Sequence, residues 1–217
     1  MDIVKLLKKE AVESQQEAEL ILTNAKYSRP VYGYEHELGL SLKQVLNRLK
    51  LRQEHPIVVL DVMCGGGSTV KELNGHYSVN AFGVDKLYYP DFRDLEYKDR
   101  FIVTSAEDLS MIPDRSVDLI LNLNGYAEFF SSIYKPIKEA LRVLCPGGEL
   151  HSAPFLEREK LTDTYCHEGY EAIDDYEREN GQKLKYKATR RLSWHRFPPI
   201  RMSPVLHLEK SNFISTD

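Results

Sequence analysis

The 217-residue chain contains no apolar run approaching the ~20 residues that a membrane-spanning helix requires. An integral helical membrane protein is therefore not expected. The N-terminus, Met1-Asp2-Ile3-Val4-Lys5-Leu6-Leu7-Lys8-Lys9-Glu10, lacks the basic-then-apolar order of a secretory signal. Cysteine is scarce: Cys64, Cys145 and Cys166 make neither a metal-ligand spacing nor a disulfide framework, so no metal site is expected. A reducing compartment, the cytoplasm, is the expected location. Internal repeats and low-complexity linkers are missing too. There is no excess of basic charge: 29 Lys and Arg against 33 Asp and Glu leave a net charge of −4. That argues against a surface built around polyanionic DNA, though a local basic face remains open. The rest, 42% hydrophobic and 29% charged, describes a globular chain. Its length suits one sizeable α/β core with a small extension.

One stretch organises the whole: Val58-Val59-Leu60-Asp61-Val62-Met63-Cys64-Gly65-Gly66-Gly67-Ser68. An apolar, β-branched run ends in an acid, breaks into three glycines and leads into a helix-compatible segment. The pattern predicts a buried parallel strand, a tight turn and a helix start. Glycine lets backbone amides approach a ligand closely. A Walker A loop is excluded because no Gly-Lys pair follows, and a dinucleotide fingerprint is incomplete because Val70 stands at its third glycine. Asp61 places a negative charge at the turn's mouth, which suits an ammonium or sulfonium ligand better than a phosphate.

Along the chain, helical spacing covers residues 3–25 and 38–51, with Tyr27 to Tyr34 between them as a surface loop or an aromatic lid. Strands are predicted at 57–62, 79–85, 100–104 and 117–121, a helix from Glu128 to Leu144, and a fifth strand after the Pro146-Gly147-Gly148 stop. The second strand ends in Asp85, where a carboxylate can accept both hydroxyls of an adenosine ribose. Residues 158–180 are acidic and helical in texture. Residues 183–201 carry only basic charges, interleaved with Tyr186, Trp194 and Phe197. Residues 183–189 and 204–208 read as a hairpin, whose basic face is either a charged sheet edge or a surface for an anionic partner.

The turn at 58–68, Asp85, the Ser105-Ala106-Glu107-Asp108-Leu109 to Asp118-Leu119-Ile120-Leu121 run, and Leu144-Cys145-Pro146-Gly147-Gly148 resemble, in order, the motifs of class I Rossmann-like S-adenosylmethionine-dependent methyltransferases. The match spans residues 56 to 153. Departures are Met63 at the first glycine of the turn, Ser105 in place of an acid, and Cys145 in place of a lysine, read as a surface change. The resemblance implies an α/β fold: a doubly wound, mostly parallel seven-stranded sheet flanked by helices, with an N-terminal helical extension. Residues 1–54 would form the N-terminal helices and a lid. Residues 55–217 would form the methyltransferase domain, with core motifs at 57–153 and a C-terminal helix and hairpin at 154–217. It further implies S-adenosylmethionine as cofactor, held by Asp61, Met63, Cys64, Gly65, Gly67, Asp85, Lys86, Ser105, Ala106, Glu107 and Asn122. In that picture Asn122 lies just past the fourth strand.

The acceptor is less legible. The Asn-Leu-Asn-Gly-Tyr run at 122–126 lacks the proline pair used for methylating amides or nucleic-acid amines. An acceptor hydroxyl or acidic carbon needs a base. His151 at the end of the fifth strand, His195 in the basic tract, and Tyr126 are candidates, with Glu128 also near the mouth. A small-molecule acceptor, or an exposed group on a larger one, is the leading expectation. Two other readings stay open: a non-catalytic binding or scaffold relative, suggested by Met63 and Ser105, and an RNA methyltransferase using residues 183–201.

Overall fold

The computed structural model describes residues 2–17, 29–89, 96–123, 132–153, 164–193 and 201–210. The apolar runs become strands β1 (Val58–Val62), β2 (Asn80–Asp85), β3 (Phe101–Val103), β4 (Val117–Leu123) and β5 (Leu144–Ala153). The hairpin becomes β6 (Leu184–Ser193) and β7 (Arg201–Lys210). They form one seven-stranded sheet in the order β3-β2-β1-β4-β5-β7-β6, with β1 to β5 parallel and β7 antiparallel between β5 and β6. Strand order reverses at β1, which pairs with β2 on one side and β4 on the other. This is the doubly wound sheet that the motifs imply, and its switch point lies where the glycine turn leaves β1.

Side-chain alternation along each strand divides the core in two. Val58, Leu60 and Val62 of β1 face a layer that includes α1 (Ile3–Glu17), α5 (Tyr134–Val143) and α6 (Thr164–Asn180). Val59 faces the opposite layer, made by α2 (Val31–Leu38), α3 (Leu42–Arg52) and α4 (Ser68–His76). We refer to the second side as the α2–α4 face.

The structure corrects several expectations. Residues 31–38 are a helix rather than a loop. Pro30 is its N-cap with extended backbone, and Gly39 ends it in the left-handed region at φ 70°. Leu38 therefore closes α2 rather than opening the next helix. That helix starts after Ser41, whose side chain caps the amide of Gln44. Helix α5 begins at Tyr134, and residues 128–131 lie outside the described residues. β5 begins at Leu144, ahead of the Pro-Gly-Gly stop. Gly147 at φ 79° and a register shift between Val117 and Leu119 absorb the irregularity. Cys145 is no surface residue: it is 5% exposed and its thiol donates to Asp118 Oδ1 at 3.2 Å. Burial pushes that thiol's pKa up.

Candidate active site

The turn after β1 is held by backbone chemistry. The amides of Met63 and Cys64 both donate to the Val84 carbonyl of β2, at 2.7 and 3.1 Å, and Gly67 N–H donates to the Cys64 carbonyl at 3.0 Å. Gly65 and Gly67 have φ of 54° and 73°. A Cβ on Gly67 would lie 2.1 Å from Cε1 of Phe101, so no larger residue fits there. Met63 stands at φ 62°, adopting the left-handed conformation that the usual glycine would supply. Its side chain packs against the core on the α1 side of the sheet.

Asp85 ends β2 directly beside this turn. Its Oδ2 accepts the Gly65 amide at 3.0 Å and its Oδ1 accepts the Leu87 amide at 3.0 Å. Burial raises its pKa, while these amides and the neighbouring Lys86 pull it down. Lys86 itself is exposed. Next along the edge, Thr104 N–H donates to the Asp85 carbonyl. Ser105 Oγ then accepts the Glu107 amide at 3.2 Å, and Ala106 is buried. A cavity of about 490 Å³ begins at Glu107 and is lined further by Ser132, Tyr134, Lys135, Glu168 and Glu171.

Asp61 is almost wholly buried at the end of β1, on the α2–α4 face. The Tyr34 hydroxyl of α2 donates to its Oδ1 at 2.6 Å, while its buried Oδ2 has no partner among the described residues. Burial raises the Asp61 pKa to about 7. The Tyr34 bond opposes the rise, and the like charge of Asp85 adds to it. The sequence does not single out Tyr34 as a site residue, although the tyrosine-rich segment from Tyr27 to Tyr34 is the signal for it. Two further contacts tie this segment to the turn: Val31 N–H donates to Glu72 of α4 at 2.8 Å, and the Thr69 hydroxyl donates to the Arg29 carbonyl.

Asn122 lies inside β4 rather than past it. It is fully buried, donating to the Val62 carbonyl at 3.0 Å and accepting from the Ser152 hydroxyl at 3.2 Å. It thus cross-links β1, β4 and β5 under the turn. Asp61, Met63 to Gly67, Asp85, Lys86, Ser105 to Glu107 and Asn122 therefore share the C-terminal edge of the parallel strands, where open α/β sheets bind ligands.

His151 does not join them. It sits within β5, two residues short of its end. Its Nδ1 is 2.8 Å from His207 Nδ1 and its Nε2 is 3.1 Å from Glu149 Oε2. His195, Tyr126 and Glu128 lie outside the described residues. Among the described residues no helix is long and apolar enough to cross a membrane, and no His, Cys, Asp and Glu group could hold a metal ion.

The family model of a methyltransferase domain matches residues 60–152. No curated protein gives a significant match. Among solved structures, YcgJ of Bacillus subtilis superposes with a TM-score of 0.55 at 14% identity, over 82% of this chain and 99% of that one. A SAM-dependent methyltransferase of Methanosarcina mazei gives 0.50 at 18%, over 76% and 96%. The 1,6-didemethyltoxoflavin-N1-methyltransferase of Burkholderia thailandensis gives 0.50 at 15%, over 96% and 88%. At these identities the superpositions speak for the fold, while the matched domain carries the motifs. The chain thus carries a match to a methyltransferase domain over residues 60–152 on the doubly wound fold of these structures, and its motif order is similar to that of the class I, Rossmann-like S-adenosylmethionine-dependent methyltransferases.

Proposed function

We propose that this enzyme methylates a small-molecule acceptor, using a donor held by Asp61, the Met63 to Gly67 turn, Asp85, Lys86, Ser105 to Glu107 and Asn122. The observation that carries the donor reading is the Asp85 carboxylate latched to Gly65 at the mouth of the turn. Each carboxylate oxygen has two lone pairs and spends one on an amide, so both can still accept a ribose hydroxyl. The Oδ2 of Asp61, without a hydrogen-bond partner among the described residues, fits the same ligand, because a buried, reluctant carboxylate ionises readily beside a cation. When bound, the cofactor supplies a methyl group already activated on a sulfonium. The chain's residues then have to orient donor and acceptor and exclude water. Residues 1–54 are read as the cover for that purpose, supported by the Tyr34, Val31 and Arg29 contacts to β1 and α4. Met63 favours an active enzyme over a scaffold: it keeps the glycine-like backbone and sends its side chain to the core. The cavity beside Glu107, at about 490 Å³, is of the size that takes a small molecule.

Calorimetric titration of ligand-stripped protein with S-adenosylmethionine and S-adenosylhomocysteine tests the donor site. Micromolar binding is expected, weakened at least tenfold (~1.4 kcal/mol) by Asp85→Ala. Absence of binding would move the chain to the scaffold reading. For the acceptor, S-adenosylhomocysteine release is expected with the low-molecular-mass fraction of a cell extract. Release only with the macromolecular fraction would overturn the small-molecule reading.

A further inference from the structure

Helix α2 is fastened beside the glycine turn in a way that fixes one hydroxyl. At its start, the Arg29 carbonyl accepts the Thr69 hydroxyl and the Val31 amide donates to Glu72 Oε2 at 2.8 Å, both partners lying on α4. At its end, Glu35 Oε1 accepts the Leu42 amide at 2.7 Å and pins the junction with α3. Between these anchors Tyr34 is 3% exposed, in the same apolar cluster as Val31 and Leu38. Its hydroxyl reaches Asp61 Oδ1 at 2.6 Å, a length typical of a hydroxyl donating to a charged carboxylate.

Asp61 is left half made. Its Oδ2 is buried without a partner among the described residues, and such an atom is costly. A pair kept for stability alone would do as well or better as two apolar side chains. The charge of Asp61 is contested from several sides. Burial and the like charge of Asp85 on β2 disfavour it, while the Tyr34 bond and the positive charge of Arg29 favour it. The balance puts its pKa at about 7. Cys64, in the turn, is itself pushed up by burial and by Asp61, so it stays a neutral thiol.

We propose, resting on the donor site proposed above, that Tyr34 is a positioning residue for the donor: its hydroxyl orients the Asp61 carboxyl and holds it ready to ionise, so that the cationic donor binds with release of a proton. The proton passes from Asp61 to solvent, and no bond of the donor changes. A protonated Asp61 offers a cation no counter-charge. The ionised one does, and Tyr34 keeps Oδ1 engaged while Oδ2 is left for the ligand. Without the hydroxyl, the carboxyl stays protonated to higher pH and loses its fixed orientation.

The test is calorimetric titration of the full chain with S-adenosylmethionine from pH 5.5 to pH 8.5, in paired buffers of different ionisation enthalpy. The parent, Asp61→Asn and Tyr34→Phe are compared. Asp61→Asn mimics the protonated acid, and referring each affinity to it removes the titration of the donor's own α-amino group. The parent should bind about tenfold more tightly than Asp61→Asn at pH 8, and within about twofold of it at pH 6. Proton release should peak between pH 6 and pH 7 and be missing in Asp61→Asn. Tyr34→Phe keeps the buried ring and should move both features up by about one pH unit, the scale of a hydrogen bond to a charged group. The carboxyl carbon resonance of Asp61, identified by its loss in Asp61→Asn, gives a readout that needs no donor. It should titrate near pH 7 in the parent and higher in Tyr34→Phe. A parent that binds no S-adenosylmethionine would overturn the donor reading and this one together. Donor binding with a pH profile and proton release unmoved in Tyr34→Phe would overturn the role of Tyr34 alone. So would an affinity loss equal at every pH, which is what a merely structural anchor of α2 predicts.

Discussion

Two buried carboxylates on the same face of the same sheet have opposite fates. Asp61 on β1 and Glu149 on β5 are both almost wholly shielded from water, one at each side of β4. Among the described residues Asp61 has one hydrogen-bond donor, the Tyr34 hydroxyl, and its second oxygen has none. Burial and the like charge of Asp85 raise its pKa to about 7 against the opposing Tyr34 bond and the positive charge of Arg29. Glu149 is also penalised by burial, but a hydrogen bond from His151 and the bidentate guanidinium of Arg48 take its pKa to about 2. Burial sets neither value alone; the donors that the tertiary fold delivers decide the direction. One carboxylate is finished as structure. The other keeps a raised pKa at the edge where the donor is expected.

The largest effect should come from removing what makes Glu149 comfortable. Arg48→Met leaves a buried carboxylate with weaker partners, and should cost about 2–3 kcal/mol at pH 7 by urea unfolding. Because the Glu149 pKa is depressed in the fold, its contribution is fully present above about pH 4.5 and is lost as pH falls toward 2. The Arg48→Met deficit should therefore shrink on acidification; a deficit constant between pH 7 and pH 3 would break the comparison. Asp61 should show the reverse sign. Its raised pKa means that the fold favours the protonated form, so stability falls as pH rises from about 4 to about 7. Asp61→Asn keeps an acceptor for Tyr34 and should gain on the order of 2 kcal/mol at pH 8, with no gain at pH 4. Equal changes at both pH values would show that Asp61 is not held protonated. Met63→Gly, next to Asp61, should do least. Relief of a left-handed methionine, about 1 kcal/mol, is offset by lost packing and glycine's entropy, leaving stability within about 1 kcal/mol of the parent. Donor affinity should stay unchanged, and a tenfold gain would mean that the Met63 side chain obstructs the donor pocket.

Much of the fold was legible because its signals are local. A parallel strand buried on both faces is apolar almost throughout, and a turn rich in positive φ favours glycine, so the run from Val58 to Gly67 declares itself. Asp85 was readable for the same reason, as the acid at a strand tip. Helix α2 was not, because eight residues bounded by Pro30 and Gly39 and interrupted by Gly33 carry too little periodicity to stand out among tyrosines. The burial of Cys145 was hidden because its partner, Asp118, lies 27 residues away on another strand.

The amino-acid sequence by itself therefore determined the strand–turn–helix core, the strand-end acids and the hairpin's alternating basic face. All of these depend on neighbours within a few residues. Tertiary structure alone decided which polar side chains meet: Tyr34 with Asp61 across 27 residues, His151 with His207 across 56, and Arg48 with Glu149 across 101. Those pairings follow from sheet register and helix placement, which no local pattern encodes. In a dry interior, such partners determine whether a carboxylate is a charge, an acid or an empty hand.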